Sequence, residues 1–329
     1  MDPLTQTLAL LHPKGLAWKL AECAGDWEIR FPANGGVVFC LVATGGCRLQ
    51  VPGHDERRLG EGDFLLLTGP PNWTLSDGKP AAPIDLPPSV SRSGPDGIVR
   101  RIGAAGAGPV TRLLGGHFSF GDANADLLRP LLPSVVQVHS PEATAGRLHA
   151  VLDLIGDEVA SERAGRTLML DRLLEIMLVE AIRHGAIASD VSDAGLLAGL
   201  ADPQVAPALR AMHADVRRAW TVAQLAGVAG SSRSVFAERF RSVVGLAPID
   251  YLLQWRMALA KDALRAGRAR LSEIAFACGY QSTSAFSTAF SRIVGRPPAR
   301  YAADMAAQRS SRAGSDCGMP ASSRSSAKV

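Results

Sequence analysis

The stretch Ser232–Tyr251, SRSVFAERFRSVVGLAPIDY, returns fifty positions later as Ser282–Tyr301, STSAFSTAFSRIVGRPPARY. Ser232, Ser234, Phe236 and Phe240 fall on Ser282, Ser284, Phe286 and Phe290; Val244, Gly245, Pro248 and Tyr251 fall on Val294, Gly295, Pro298 and Tyr301. Positions i, i+4 and i+8 share one helical face. The glycine reads as a C-cap, and the proline bars continuation of the helix. Each copy is therefore a short helix with a narrow apolar stripe and a sharp stop. Two copies are too few for a solenoid and suit a domain with two equivalent working parts.

The residues ahead of each copy extend the pattern. Thr221 and Gln224 have the spacing of a capping box for a helix carrying Val222, Leu225 and Ala226. Ala229-Gly230-Ser231 is the turn, and Ser232 is placed to cap the next helix. Two short helices about a glycine-containing turn make a helix-turn-helix. Ile249–Ala266 reads as a longer connecting helix, and Pro203 opens a helix before the first unit. In the second unit Ile274-Ala275 stands where Leu225-Ala226 stood, and Gly279 replaces Gly230. The offset is 49 before the turn and 50 after it, so the second turn has one extra residue.

The front half has another period. Residues 4–11 read as an amphipathic helix. From Trp27 to Phe120 come the β-prone runs WEIRF, VVFCLVAT, CRLQV, DFLLLT and VTRLLGGHFSF, separated by turn clusters such as GEGD and TGPPN. The proline-rich stretch 78–97 reads as a loop. Such punctuation implies an all-β sandwich or small barrel. Helices are expected over 123–132 and 142–183, broken at Gly165 and ending at His184-Gly185. From Leu168 to Ile182 apolar residues cover most of the circumference, which predicts burial on two sides, the second against either the same subunit's core or a second subunit. The fold class expected is α+β in two domains: a small β-barrel with packed helices over 1–188, a linker over 189–202 and an all-α domain with two helix-turn-helix units over 203–305. Residues 306–329 are expected to be a disordered tail.

The 329-residue chain has a net charge of +4, unevenly spread. Residues 203–305 carry 14 Lys/Arg against 6 Asp/Glu, whereas 1–202 carry 17 against 24. A basic back and an acidic front point to a polyanion partner for the back alone. No uninterrupted apolar stretch predicts a transmembrane helix. The acidic start, without a small-residue cleavage site, does not read as a signal peptide. Five cysteines are too sparse for a disulfide scaffold, so a reducing cytoplasm is the expected compartment.

Two units joined by a long helix, with the endings GLAPIDY and GRPPARY and the segments RSVFAERF, IAFACGY and SAFSTAFSRIVGRPP, resemble the DNA-binding domain of AraC/XylS-type transcription regulators. The front, through DPLTQTL, DWEIRF and GEGDFLLL, resembles the cupin-type sensory domain of one branch of that family. The resemblance implies recognition helices in two successive major grooves, roughly 34 Å apart. Phe236, Phe240, Phe286 and Phe290 are then core. The groove-facing residues implied are Arg233, Ser234, Ala237, Glu238 and Arg241 in the first copy and Thr283, Ser284, Ser287 and Thr288 in the second. Arg233 suits guanine, Glu238 a cytosine amino group, and Ala237 or Thr288 a thymine methyl group. Family members often carry long polar side chains on the second recognition helix; this chain has only Ser and Thr there. Phosphate contacts are expected from Arg241, Arg256, Arg292 and Arg296, and Arg239 is expected to snorkel or pair internally.

Cupins often hold a metal through histidines, but the family positions at Cys40 and Asn72 are replaced here, so no metal and no cofactor are expected. His54 reads as a solvent histidine and His117 as a packing residue facing the barrel. His139 and His149 are too isolated to group. Cys23, Cys40 and Cys47, with His117, are the candidate sensor residues; buried structural thiols are preferred to redox chemistry. No G-x-S-x-G, HExxH or phosphate-binding glycine loop occurs, so no enzyme is expected. The reading is a sequence-specific regulator, an activator on family grounds. Its partners are double-stranded DNA, an unidentified small-molecule or redox effector, and as candidates RNA polymerase and a second copy. The alternative is a cupin-type small-molecule or metal-binding protein or enzyme with a secondary DNA-binding domain.

Overall fold

The computed structural model describes residues 2–11, 14–33, 36–86, 99–103, 109–119, 124–128, 131–139, 146–161, 163–188 and 194–316. Helix α1 (Pro3–Leu11) leads into β1 (Lys14–Ala24), β2 (Glu28–Phe31), β3 (Val37–Thr44), β4 (Cys47–Gln50), β5 (Arg57–Leu59) and β6 (Phe64–Thr68). There follow β7 (Trp73–Ser76), β8 (Pro83–Asp85), β9 (Val99–Gly103) and β10 (Val110–Ser119). After α2 (Ala125–Leu128) and β11 (Val135–Val138) come α3 (Gly146–Ala160) and α4 (Arg166–Ala188). The rest is helical: α5 (Leu196–Ala201), α6 (Ala206–Ala214), α7 (Val222–Val228), α8 (Arg233–Val244), α9 (Pro248–Ala266), α10 (Leu271–Ala277), α11 (Thr283–Val294) and α12 (Pro298–Asp316).

The strands form two sheets, ordered β11-β6-β3-β10-β1-β9 and β5-β4-β7-β2-β8. Their facing sides share one core. Cys23, Val38, Cys40, Val42, Leu65, Leu67 and Leu113 come from the first sheet, and Ile29, Cys47, Leu49, Trp73 and Leu75 from the second. β3 is buried on both faces, which explains its unbroken apolar run. Val38, Cys40 and Val42 point into the core, while Phe39 on the opposite face lies 6.4 Å from Phe64 and 5.6 Å from Phe118.

Several boundaries differ from those read off the sequence. β1 is a strand that the sequence does not announce; it pairs antiparallel with β10 from Lys14↔Ser119 to Ala24↔Val110. Of the helix expected over 123–132, residues 124–128 and 131–132 are described, and Ala125–Leu128 form α2. The expected break at Gly165 is present, but α4 runs past His184-Gly185 to Ala188. Of the expected linker, 194–202 is described, and Leu196–Ala201 form α5 with Leu196, Leu197 and Gly199 buried. α12 continues to Asp316, past the expected start of the tail at 306, through the helix-forming run Ala306-Ala307-Gln308-Arg309. Cys317, the rest of the tail and most of the 78–97 loop lie outside the described residues.

By its contacts the chain divides into one unit of residues 1–214 with 221–249 and another of 215–220 with 250–329, so the division falls inside α9. In the first unit α5 lies close on α8. Gly195 N donates to Val243 O at 2.9 Å, and a Cβ on Gly199 would come within 2.7 Å of Leu209 Cδ1 and 2.8 Å of Val244 Cγ2.

Candidate nucleic-acid interface

Each helix-turn-helix is built as its sequence dictates. In the first, Thr221 Oγ1 accepts from Gln224 N at 3.2 Å, and Gln224 Oε1 accepts from Thr221 N at 3.1 Å. This reciprocal cap satisfies two donors that a helix start otherwise leaves open. Ser231 N then closes the turn onto Ala226 O at 3.0 Å. In the second unit Arg270 and Glu273 occupy the capping-box positions, with Arg270 N donating to Glu273 Oε2 at 2.9 Å. Tyr280 N closes that turn onto Ala275 O at 3.0 Å. Ser282 caps α11 by accepting from Ala285 N at 3.1 Å; Ser232, expected to do the same for α8, makes no side-chain cap bond.

The repeated residues form the same scaffold twice. Phe236 and Phe240 are buried with ring centroids 5.7 Å apart, and so are Phe286 and Phe290 at the same separation. Gly245 and Gly295 end α8 and α11 with φ of 83° and 78°, left-handed values at which a side chain would be strained. Pro248 and Pro298 open the next helices, where a missing N–H costs nothing. Tyr251 and Tyr301 are buried, and Tyr301 packs edge-on against Phe290 at 5.6 Å.

The faces between these anchors are open to solvent. On α8, Arg233, Ser234, Glu238 and Arg241 are exposed and Ala237 is half-buried. Val235 and Ser242, which the sequence reading passed over, are also exposed; the helical period that located the phenylalanines would have found them. On α11, Thr283, Ser284 and Thr288 are exposed and Ser287 is half-buried. Arg292 is exposed, and Arg296 makes a surface ion pair with Asp304 at 3.0 Å. Such a pair contributes little and is readily exchanged for another anion.

Two arginines have internal roles. Arg239 pairs as expected, donating to Asp202 Oδ2 through Nε at 2.8 Å. Arg256, expected on a phosphate, instead pins the main chain within the second unit. Its Nε and Nη2 donate to Val216 O at 2.9 and 2.8 Å, and Nη2 also donates to Arg218 O at 2.8 Å. Burial pulls its pKa below the usual arginine value. The segment it holds is braced by Arg217 over the Phe276 ring and Arg218 over the Trp220 ring, both at 4.1 Å.

The sensor candidates sit deep in the other half. Cys23, Cys40 and Cys47 are buried, free thiols in the core between the sheets. Burial pushes Cys23 and Cys47 up to about 12 and Cys40 well above its usual value, so all three are protonated at neutral pH. That is the opposite of what an attacking thiolate needs. His117 is half-buried on β10, opposite Val38. His139 and His149, which seemed isolated in sequence, meet at one turn. His139 Nδ1 lies 3.2 Å from Asp63 Oδ2, and His149 Nε2 lies 2.9 Å from Gly62 O. Among the described residues no group of His, Cys, Asp and Glu is arranged to hold a metal ion. No helix of the described residues is long and apolar enough to cross a membrane.

Residues 2–186 match a family described as Cupin, and residues 225–304 match a family described as Helix-turn-helix domain. A protein of Streptomyces lividans named as a putative AraC-like transcription regulator is 41% identical over 302 residues, 92% of this chain and 98% of that protein. The chain belongs to the AraC-like transcription regulators. A second putative AraC-like regulator, from Streptomyces antibioticus, is 39% identical over the same shares of both chains. The HTH-type transcriptional regulator AlkR of Acinetobacter baylyi is 27% identical over 92% of this regulator and 99% of AlkR. The α+β fold and the DNA-binding function expected from the sequence are thereby established for this AraC-like regulator, whose double-stranded DNA partner follows from its family.

Proposed function

We propose that this regulator reads DNA sequence with two helices of unequal power. The observation that carries the reading is the contrast between a duplicated scaffold and unlike exposed faces: Arg233, Ser234 and Glu238 on α8 against Thr283, Ser284 and Thr288 on α11. A charged fork and a carboxylate discriminate base edges through paired hydrogen bonds, whereas short hydroxyls serve any base. The first helix therefore sets most of the specificity, and the second follows groove shape and methyl groups. Ala237 and Ser287, half-buried, stand at the margin of these faces, and Arg241, Arg292 and Arg296 hold phosphates.

The cupin-type domain is the sensory part, and its effector changes DNA affinity by binding two states of the protein unequally. Family membership favours an activator working in the cytoplasm with RNA polymerase. The outer side of α4 favours a homodimer: Leu168, Met169 and Ile176 stay exposed there, with Leu154 of α3. Genome-wide mapping of bound sites followed by footprinting at one of them tests the reading. Discrete protected sites upstream of genes are the expected result, and uniform or absent binding would contradict it.

A further inference from the structure

α8 carries a residue that its packing does not require. Val235, third in the helix, is 54% exposed although valine is large and apolar. It takes no part in the stripe of Phe236, Phe240 and Val244, all buried. Nor does helix stability call for it, since a β-branched side chain is a poorer helix former than alanine or a long polar residue. The equivalent position of α11 is Ala285, which is exposed as well.

We propose that Val235 reads a base, its isopropyl group packing on the C5-methyl group of a thymine. The inference rests on the reading that α8 enters the major groove. Residues at the N-terminal end of a recognition helix are the ones that meet base edges. On the floor of that groove the thymine methyl is the apolar group on offer, and an apolar side chain is its natural contact. The polar neighbours Ser234 and Glu238 are exposed beside it. Ala237, to which the sequence reading gave the methyl contact, is half-buried with only one carbon to offer. Valine is also held to few rotamers, so the position of its methyl groups is fixed before the DNA arrives. Ala285 reaches less far, so the second helix lacks the same contact.

The test is a double-mutant cycle between protein and DNA, using the full chain and a site recovered from random DNA. Each thymine of that site is replaced singly by deoxyuridine, which removes the methyl group and leaves the pairing edge intact. One thymine is expected to cost the unaltered protein about fourfold in affinity, the worth of one buried methyl group. Val235→Ala is expected to bind the thymine site more weakly and to lose its sensitivity to deoxyuridine there, while Val235→Thr, which keeps one methyl, retains part of it. If Val235→Ala keeps full sensitivity at every thymine, or no thymine matters to the unaltered protein, the assignment is overturned while DNA recognition by α8 stands. If no site can be recovered from random DNA, both readings fall together.

Discussion

The guanidinium of Arg239, on α8, and the carboxylate of Asp202, at the head of α6, meet at 2.8 Å through Nε and 2.7 Å through Nη2. Asp202 also holds the turn that leads from α5 into α6, with Oδ1 accepting from Gln204 N and Val205 N at 2.9 Å each. One buried carboxylate thus orders the entry to α6 and fixes the flank of α8. Burial alone would raise its pKa, but the bonds from Val205, Arg239 and Gln204 outweigh it and hold the pKa below the ordinary value. Asp202→Ala is expected to lower stability by about 2 kcal/mol, through the lost main-chain bonds of the turn and a lost charge-assisted bond. Arg239→Ala, which leaves the bonds of the turn intact, should cost less. Because the folded pKa is depressed, this contribution is full above about pH 4 and disappears as pH falls through the folded value. Denaturant titration of both variants is the check; equal and negligible losses would remove Asp202 from this role.

His213 has its own pH window. Its Nδ1 lies 2.8 Å from Gln6 Oε1 of α1, and burial pushes the imidazole down to about 4 against the opposing pull of Asp2. An unfolded histidine titrates near pH 6.5. The unfolded chain therefore binds the proton first, so stability is full above about pH 6.5 and declines as pH falls towards 4, by up to about 3 kcal/mol. His213→Gln should flatten the stability profile in that interval, whatever it does to stability at pH 8. A profile as steep as that of the unaltered protein would show that another group carries the slope.

Arg241 and Arg256 should part company in two measurements. Arg256→Ala leaves the carbonyls of Val216 and Arg218 without their donor and is expected to cost about 2 kcal/mol of stability. Arg241→Ala should leave stability alone and reduce the slope of log affinity against log salt by about 0.9, alike for all sequences. A change confined to one base preference would move Arg241 from phosphate to base.

The three core thiols should be inert. With Cys23 and Cys47 held near 12 and Cys40 well above its usual value, a Cys40→Ser, Cys47→Ser protein is expected to retain its response to an effector. Alkylation of these three thiols should be slow until the protein is unfolded. Selective loss of a response to oxidant in the serine variant would make these cysteines the sensor.

What was legible in the sequence follows from how specific each residue's job is. Phe236, Gly245, Pro248 and Tyr251 do things that few other residue types can do, and they do them twice, so the two-unit scaffold could be read directly. The capping box at Thr221 and Gln224 was readable for the same reason. β1 was not, because Lys14–Ala24 is poor in strand-forming residues and becomes a strand by pairing with β10 and β9, which are distant in sequence. The main-chain bonds of Arg256 were not legible because its partners are carbonyls, and a carbonyl is the same whatever residue bears it. His139 and His149 looked unrelated because their meeting point, the turn at Gly62-Asp63, lies on another part of the chain.

The central claim, that two copies of one scaffold read DNA with unequal power, is tested most directly by selecting binding sites from random duplexes with the full chain. The account predicts two blocks of preferred bases, with the more strongly specified block changed by Glu238→Ala and the weaker one by Thr288→Ala. Two equally specified blocks, or a stronger block that answers to Thr288 and not to Glu238, would contradict it.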